Sequence, residues 1–217
     1  MGAAKRMLKL TEAAVVAGVA LRDINRAIDE NILPEGFFSL SDGRSVLATG
    51  CMLIGFYVGS ARLLTAEARL RVIGEAALRL KRFRGRTLAS LTEEDWIVRD
   101  KFLTIDLSPF VRRTRDGLDR LAEACAMVTS DPEILGGIPV LRGTRVPVHD
   151  VAASVAAGFA MERILAAYPS LNADAIELAA IWSCAYPPRG RPRRVDEICP
   201  ELVLVSERHV PHEGRNG

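Results

Sequence analysis

Residues 128–188 read VTSDPEILGGIPVLRGTRVPVHDVAASVAAGFAMERILAAYPSLNADAIELAAIWSCAYPP. Two short apolar runs in this stretch, IPVL and VPV, flank the tetrapeptide RGTR at 142–145. Because proline cannot donate a ladder hydrogen bond, Pro139 and Pro147 restrict both runs to edge strands. Gly143 can adopt the left-handed conformation that a tight turn needs. The pattern therefore predicts a β-arm that turns at Gly143.

Three helices are predicted after the arm, because apolar residues recur there at helical spacing between strong breakers. They cover residues 149 or 150 to 157, residues 161–167, and residues 173 to about 186. Gly158 and the Tyr168-Pro169 pair end the first two helices, and Asn172 caps the third. These elements predict a compact trihelical unit behind the β-arm.

A second informative stretch, residues 10–33, reads LTEAAVVAGVALRDINRAIDENIL. Thr11 can cap a short helix, which we expect to stop at Gly18 before a second helix begins. Three apolar residues of the second helix are expected to face inward: Leu21, Ile24 and Ile28. Two short helices around a glycine turn form a helix-turn-helix pattern.

The next segment, FFSLSDGRSVLA at 37–48, predicts a β-hairpin around an Asp42-Gly43 turn, which is a strong hairpin signal. In winged-helix proteins a hairpin of this kind, the wing, follows the helix-turn-helix in the chain. Together with the Leu33-Pro34 exit, this order resembles the N-terminal half of MerR-type winged helices. An ordinary helical core with a surface hairpin is the alternative.

The resemblance implies which residues would contact DNA. Arg22, Asn25 and Arg26 on the second helix would face the major groove, where arginine suits guanine and asparagine suits adenine. Arg44, next to the hairpin turn, would reach the DNA backbone or the minor groove.

Two further helices are predicted, one continuous over 52–86 and one amphipathic over 110–128. The basic part of the first carries four arginines that could contact phosphates or be solvated: Arg69, Arg79, Arg82 and Arg86. Operators read by helix-turn-helix proteins are usually palindromic, so a homodimer is expected. Its surface is either the 110–128 helix or the 60–83 helix, and the sequence leaves both open.

The composition is that of a soluble globular protein, with 49% hydrophobic and 26% charged residues and a net charge of +2. This charge is too small to make the whole chain basic. The four cysteines, Cys51, Cys125, Cys184 and Cys199, are far apart and form no C-x-x-C pair. Reduced thiols and a cytoplasmic location are therefore expected.

No membrane association and no catalysis are expected. The uncharged run at 45–61 is too short and too polar to span a bilayer, and Gly55 and Gly59 suit a buried helix with close backbone contacts. The nucleotide-binding, zinc-protease and nucleophile-elbow motifs do not occur. His209-x-x-His212 has no matching cysteine or carboxylate. We expect no enzyme activity, no cofactor and no metal site.

The C-terminal tail contains R-G-R-P, the core of the AT-hook, within PRGRPRR at 188–194. An extended segment of this kind can insert arginines into a narrow A·T minor groove. The same arginines, Arg189, Arg191, Arg193 and Arg194, could instead pair with carboxylates of a protein partner. A solvated linker is the third alternative.

The run P-E-I-L-G-G-x-P-V-x-R-G-T-R-V-P-V and the later V-A-x-x-G-x-x-x-E-x-I-L-x-x-Y-P-x-L resemble the DUF433 family almost end to end. That family is regarded as the antitoxin component of bacterial toxin–antitoxin pairs. With the N-terminal winged helix and the arginine-rich exit, the chain resembles the larger VapB-type antitoxins. Their partners are PIN-like ribonuclease toxins, whose clustered acidic residues hold Mg²⁺.

The resemblance implies an antitoxin that binds its PIN-like toxin and represses its own operon. A tail arginine would enter the acidic cleft of the toxin, and Arg145 could clamp a carboxylate or a carbonyl. Alternatively, Gly143-Thr144-Arg145 is a purely structural turn, with Arg145 holding the arm to the helices. A free-standing regulator with an AT-hook-like tail is the alternative function.

The predicted fold is mainly α with small β elements: an N-terminal winged helix-turn-helix and a C-terminal trihelical, homeodomain-like domain with a β-arm. The predicted parts are a DNA-binding candidate at 1–86, a connecting strand and helix at 87–127, the DUF433-like domain at 128–187, and the tail at 188–217.

Overall fold

The computed structural model describes residues 6–41, 43–82, 88–100 and 103–188. The helices are α1 (Leu10–Ala17), α2 (Leu21–Asp29), α3 (Gly50–Gly59), α4 (Ala66–Arg82), α5 (Leu88–Leu91), α6 (Ser108–Met127), α7 (Val148–Ala156), α8 (Met161–Ala167) and α9 (Ala173–Ala185). The strands are β1 (Met7–Lys9), β2 (Phe38–Ser39), β3 (Ser45–Leu47), β4 (Ile97–Asp100), β5 (Leu103–Asp106), β6 (Val128–Thr129) and β7 (Val140–Leu141). The prediction of a mainly helical protein with small sheets is confirmed.

Helices α1 and α2 meet at the predicted glycine turn. Gly18 adopts the left-handed conformation with φ of 63°, and its N–H donates to carbonyls of the last turn of α1. The prediction that Thr11 caps α1 is wrong, because the helix begins one residue earlier, at Leu10. The backbone N–H of Lys9 instead donates to the carboxylate of Glu12 at 2.7 Å, which satisfies the amide at the helix start.

The predicted hairpin is the β2–β3 pair, in which Phe38 lies opposite Val46. Strand β1 adds to the other edge of β3, so the strand order is β1-β3-β2. This third strand was not predicted. Leu8 of β1 lies opposite Val46, and both side chains are fully buried. The sheet therefore anchors the chain segment that leads directly into α1.

The prediction of one continuous helix over 52–86 is wrong, because a turn at residues 60–65 separates α3 from α4. The buried Ser60 hydroxyl donates to the carbonyl of Phe56 at 2.7 Å. Helix α3 is almost wholly buried, and a Cβ at Gly55 would lie 3.3 Å from the carbonyl oxygen of Ala17. Close backbone packing at this glycine was predicted. No helix in the described ranges combines the length and the apolar character that crossing a bilayer requires.

Helix α6 packs against α1, α3 and α9. Its closest approach to α1 is at Gly117, where a Cβ would lie only 2.7 Å from the carbonyl oxygen of Val16. Phe110, near the start of α6, packs edge-on against Phe56 of α3 with ring centroids 5.5 Å apart. The helix therefore belongs to the interior of the protomer.

The C-terminal helices form a second apolar cluster, whose buried members are Leu141, Val148, Val151, Ile164, Ile176 and Ala179. Helix α8 has the predicted bounds, and the side-chain oxygen of Asn172 caps α9 by accepting from Ala175 N at 2.8 Å. The arm differs from the prediction. Strand β7 pairs mainly with β6, which follows directly on α6, and VPV contributes only an isolated bridge between Pro147 and Val140.

Helix α9 also contacts α1, which joins the C-terminal helices to the N-terminal ones. The Thr11 hydroxyl donates to the carbonyl of Ala185 at 2.7 Å. Residues up to Pro187 form one compact unit. The predicted boundaries at 86 and 127 stay a prediction.

Candidate nucleic-acid interface

Helix α2 buries one side and presents a polar side to solvent. Ile24, Ala27 and Ile28 are at most 5% exposed. The prediction that Leu21 faces inward is wrong, because it is 43% exposed and Ala27 completes the buried stripe instead. Arg22 and Arg26 are exposed on the other side of the helix.

The three candidate residues of α2 differ in their pairing. Arg22 makes no hydrogen bond or ion pair with any described residue, so its guanidinium is available to a ligand. The Asn25 amide donates to the carbonyl of Leu21 at 3.1 Å. Nε of Arg26 lies 2.9 Å from both carboxylate oxygens of Glu30, and this hydrogen bond raises the pKa of Arg26 above its usual value.

Arg44 of the β2–β3 hairpin contacts the end of α2. Its Nη2 donates to the Oδ1 of Asp29, and its Nε is buried without a partner among the described residues. Asp42, which was predicted to form the turn with Gly43, lies outside the described residues. The structure therefore places Arg44 beside the C-terminal end of α2, the helix that carries the other three candidate DNA-contacting residues.

The arginines of α4 are largely committed within the protein. The Arg69 guanidinium lies 4.0 Å above the Tyr57 ring, and its Nη1 donates to the carbonyl of Tyr57 at 2.7 Å. Arg79 pairs with Glu75 at 2.5 Å and donates to the carbonyl of Ile97 at 2.8 Å. These two side chains are thus structural, while the predicted Arg86 lies outside the described residues.

The RGTR turn presents Arg145 to solvent. Gly143 has a φ of 76°, as the tight turn requires. Thr144 satisfies the local backbone, because its hydroxyl donates to the carbonyl of Leu141 at 2.8 Å and accepts from Val146 N at 3.1 Å. Arg145 is exposed and makes no hydrogen bond or ion pair with a described residue. Nothing described supports the alternative in which this side chain holds the arm to the helices.

The remaining candidates for toxin binding, Arg189, Arg191, Arg193 and Arg194, lie outside the described residues. No group of three or more metal-ligating side chains occurs within the described part of the chain. His149 Nδ1 lies 2.9 Å from the Ser183 hydroxyl, and burial lowers the pKa of this histidine. It is therefore held within the C-terminal helices.

Sequence reasoning missed a buried polar cluster that connects three helices. Glu12 is 6% exposed, and its Oε1 accepts from the Tyr186 hydroxyl at 2.5 Å. The same hydroxyl lies 3.4 Å from the Sγ of Cys125 on α6. In the sequence, Glu12 is an ordinary acidic residue of a first helical turn, so no local signal indicates this contact.

Comparison with known proteins gives two similarities. A family described as "Protein of unknown function (DUF433)" matches residues 128–182, the β6–β7 arm and most of α7 to α9. The whole chain is 55% identical over 217 residues to "Uncharacterized protein y4eO" of Sinorhizobium fredii (strain NBRC 101917 / NGR234), of which 98% is covered. No solved structure matches the chain significantly.

Proposed function

The chain belongs to the family of the rhizobial protein y4eO and contains a DUF433 domain at residues 128–182, and from this premise we propose that it is the antitoxin of a toxin–antitoxin pair. In this proposal the N-terminal elements bind operator DNA as a winged helix. The DUF433 domain and the tail bind and inhibit a PIN-like ribonuclease. The protein performs no chemistry of its own.

The polar side of α2 is the observation that carries the DNA-binding part of the proposal. Arg22 is exposed and unpaired among the described residues, which suits a side chain that reads a base edge. Arg26 and Arg44 are paired with exposed carboxylates of Glu30 and Asp29. Exposed ion pairs are weak, so both arginines can exchange these partners for phosphates at little cost.

The DNA-binding part is tested by the affinity for the DNA upstream of the gene, measured by fluorescence anisotropy at several salt concentrations. We expect Arg22→Ala to weaken binding about tenfold, with relaxed sequence preference if Arg22 reads a base. Glu30→Gln should tighten binding, because it frees Arg26 from a competing carboxylate. Arg142→Ala, which removes an exposed arginine from the RGTR turn, is the matched control. Unchanged affinity in both Arg22→Ala and Arg26→Ala would exclude α2 as the recognition helix.

The toxin-binding part rests on Arg145 and on the resemblance to antitoxins. An exposed guanidinium that has no described partner can bind a carboxylate cluster bidentately and stays charged when water is excluded. In a PIN-like toxin, such a cluster would be the acidic site that holds the catalytic metal. Occupying it with arginine would block hydrolysis.

Co-expression with a PIN-like protein encoded next to this gene tests this part. We expect a stable complex in which RNA is protected, and release of ribonuclease activity when residues 189–217 are deleted. Arg145→Ala should weaken the complex more than the neighbouring Arg142→Ala does. If no complex forms while operator binding persists, the protein is a free-standing regulator.

A further inference from the structure

Helix α4 presents an apolar stripe that no described residue covers. Leu78 is 61% exposed and Leu70 is 43% exposed. Between them lies Gly74, where a Cβ would meet no atom within 4 Å. Monomeric proteins expose single leucines commonly, but here two exposed leucines lie on the same side of one helix with an open glycine between them.

The arrangement of side chains about Gly74 is symmetric in the sequence. Leu70 and Leu78 stand four residues before and after the glycine, and Glu67 and Lys81 stand seven before and after. At about 100° per residue, all four side chains lie within about 40° of the direction of Gly74. The four intervals between Glu67 and Lys81 cover 14 residues, an average of 3.5 residues, which is the mean repeat of a helix–helix seam.

We propose that α4 is a dimer interface, in which two copies of the helix pack antiparallel across a twofold axis at Gly74. A twofold interface brings residue i of one copy to residue j of the other, and j to i. Here Leu70 meets Leu78 of the second copy, and Glu67 meets its Lys81. The surface is therefore self-complementary in both shape and charge.

In the protomer, the side chains of Glu67 and Lys81 are exposed and can reach a second copy of α4. The Glu67 side chain is 85% exposed and pairs with Arg71 of its own helix at 2.9 Å. Lys81 is exposed and makes no ion pair with a described residue. A glycine inside an exposed helix costs stability relative to alanine. Close approach of a second helix accounts for its presence at Gly74.

The other candidate surface for a dimer is already used. Helix α6 packs on α1, α3 and α9, and Val111, Leu118 and Leu121 are buried against these helices. Separating them to pair two copies of α6 would expose the core. The sequence offered two helices as dimer surfaces, and of these, within the described residues, only α4 has exposed leucines that could contact a second copy.

The test is the oligomeric state of the full chain by sedimentation velocity over a range of concentrations. The wild-type protein should be a dimer, and Leu70→Asp with Leu78→Asp should make it a monomer with an unchanged circular dichroism spectrum. Glu67→Lys alone and Lys81→Glu alone should each raise the dimer dissociation constant about tenfold, because each places like charges opposite each other twice. The double exchange should restore the wild-type constant.

Arg82→Glu is the matched control, since Arg82 is an exposed cation adjacent to Lys81 but points about 80° away from Gly74. We expect it to leave the dissociation constant within a factor of two of the wild-type value. Two results would overturn the interface. One is a wild-type protein that is monomeric at all concentrations, and the other is a double exchange that raises the dissociation constant as much as the single exchanges do. Operator affinity is measured separately, so loss of the dimer and loss of DNA recognition by α2 can be distinguished.

Discussion

Removing one hydroxyl group at the contact between α1 and α9 should destabilise the protein by about 2 kcal/mol. The Tyr186 hydroxyl donates to the Glu12 carboxylate at 2.5 Å, and Glu12 is 6% exposed. In Tyr186→Phe the carboxylate keeps the backbone N–H of Lys9 at 2.7 Å and the more distant Arg6 at 3.4 Å. A hydrogen bond to a charged group contributes about 1.5–3 kcal/mol, which sets the expected loss.

The loss is measured by urea unfolding, where Tyr186→Phe should lower the midpoint without changing the slope. For a chain of this size, the same loss lowers Tm by about 4–8 °C. Tyr168→Phe is the matched control, because the Tyr168 hydroxyl has no hydrogen-bond partner among the described residues. That variant should stay within about 0.5 kcal/mol of the wild type.

A double-mutant cycle with Glu12→Gln separates the charge from the hydrogen bond. In the Glu12→Gln background the acceptor is a neutral amide, so removing the Tyr186 hydroxyl should cost only about 1 kcal/mol. If Tyr186→Phe is as stable as the control variant, the hydroxyl does not hold α9 to α1. If the loss is the same in both backgrounds, the carboxylate is not its source.

Three further predictions follow from packing and burial. Gly117→Ala should destabilise the protein by about 1–2 kcal/mol, although alanine has the higher helix propensity, because the new Cβ would lie 2.7 Å from the backbone oxygen of Val16. An unchanged urea midpoint would show that α1 and α6 can move apart to make room for the methyl group. Burial raises the pKa of Cys51 to about 12, so a thiol reagent should modify the exposed Cys184 rapidly and Cys51 only after unfolding. Rapid modification of Cys51 in the folded protein would contradict its burial. Burial also raises the pKa of Tyr186 above the value of about 10 that it has in the unfolded chain. Its contribution is therefore complete below about pH 10 and is lost at higher pH, where the urea midpoints of wild type and Tyr186→Phe should converge.

Sequence patterns located the elements whose ends are set by local chemistry. Gly18 and Asn172 mark a helix end and a helix start because each satisfies backbone groups within a few residues. The hairpin at β2–β3 is local in the same sense. These features follow from neighbours in the chain, and the structure confirms them.

The errors concern contacts that no local pattern specifies. Met7 to Lys9 form a strand only because β3, nearly forty residues later, offers a free edge. Leu21 matches the helical period, but the positions of the neighbouring helices decide which side of α2 is covered. The break between α3 and α4 has no proline, so propensity alone could not place it.

The exposure of two candidate arginines was predictable from the sequence, but the ion pairs of the candidate residues were not. The exposed positions of Arg22 and Arg26 follow from the helical period. The pairing of Arg44 with Asp29 could not be predicted, since it joins residues from a helix and a hairpin across fifteen positions. Which arginine is free to bind a ligand is therefore a property of the folded protein.

The contact between Thr11 and Ala185 has a consequence for biosynthesis. Helix α1 leaves the ribosome before α9, which covers part of it and whose last residue, Ala185, is made 174 residues after Thr11. Until that stage, the apolar side of the nascent helix lacks its last native neighbour. The N-terminal helices consequently complete their packing only after α9 has been translated, and during this interval a chaperone that shields hydrophobic segments would protect them.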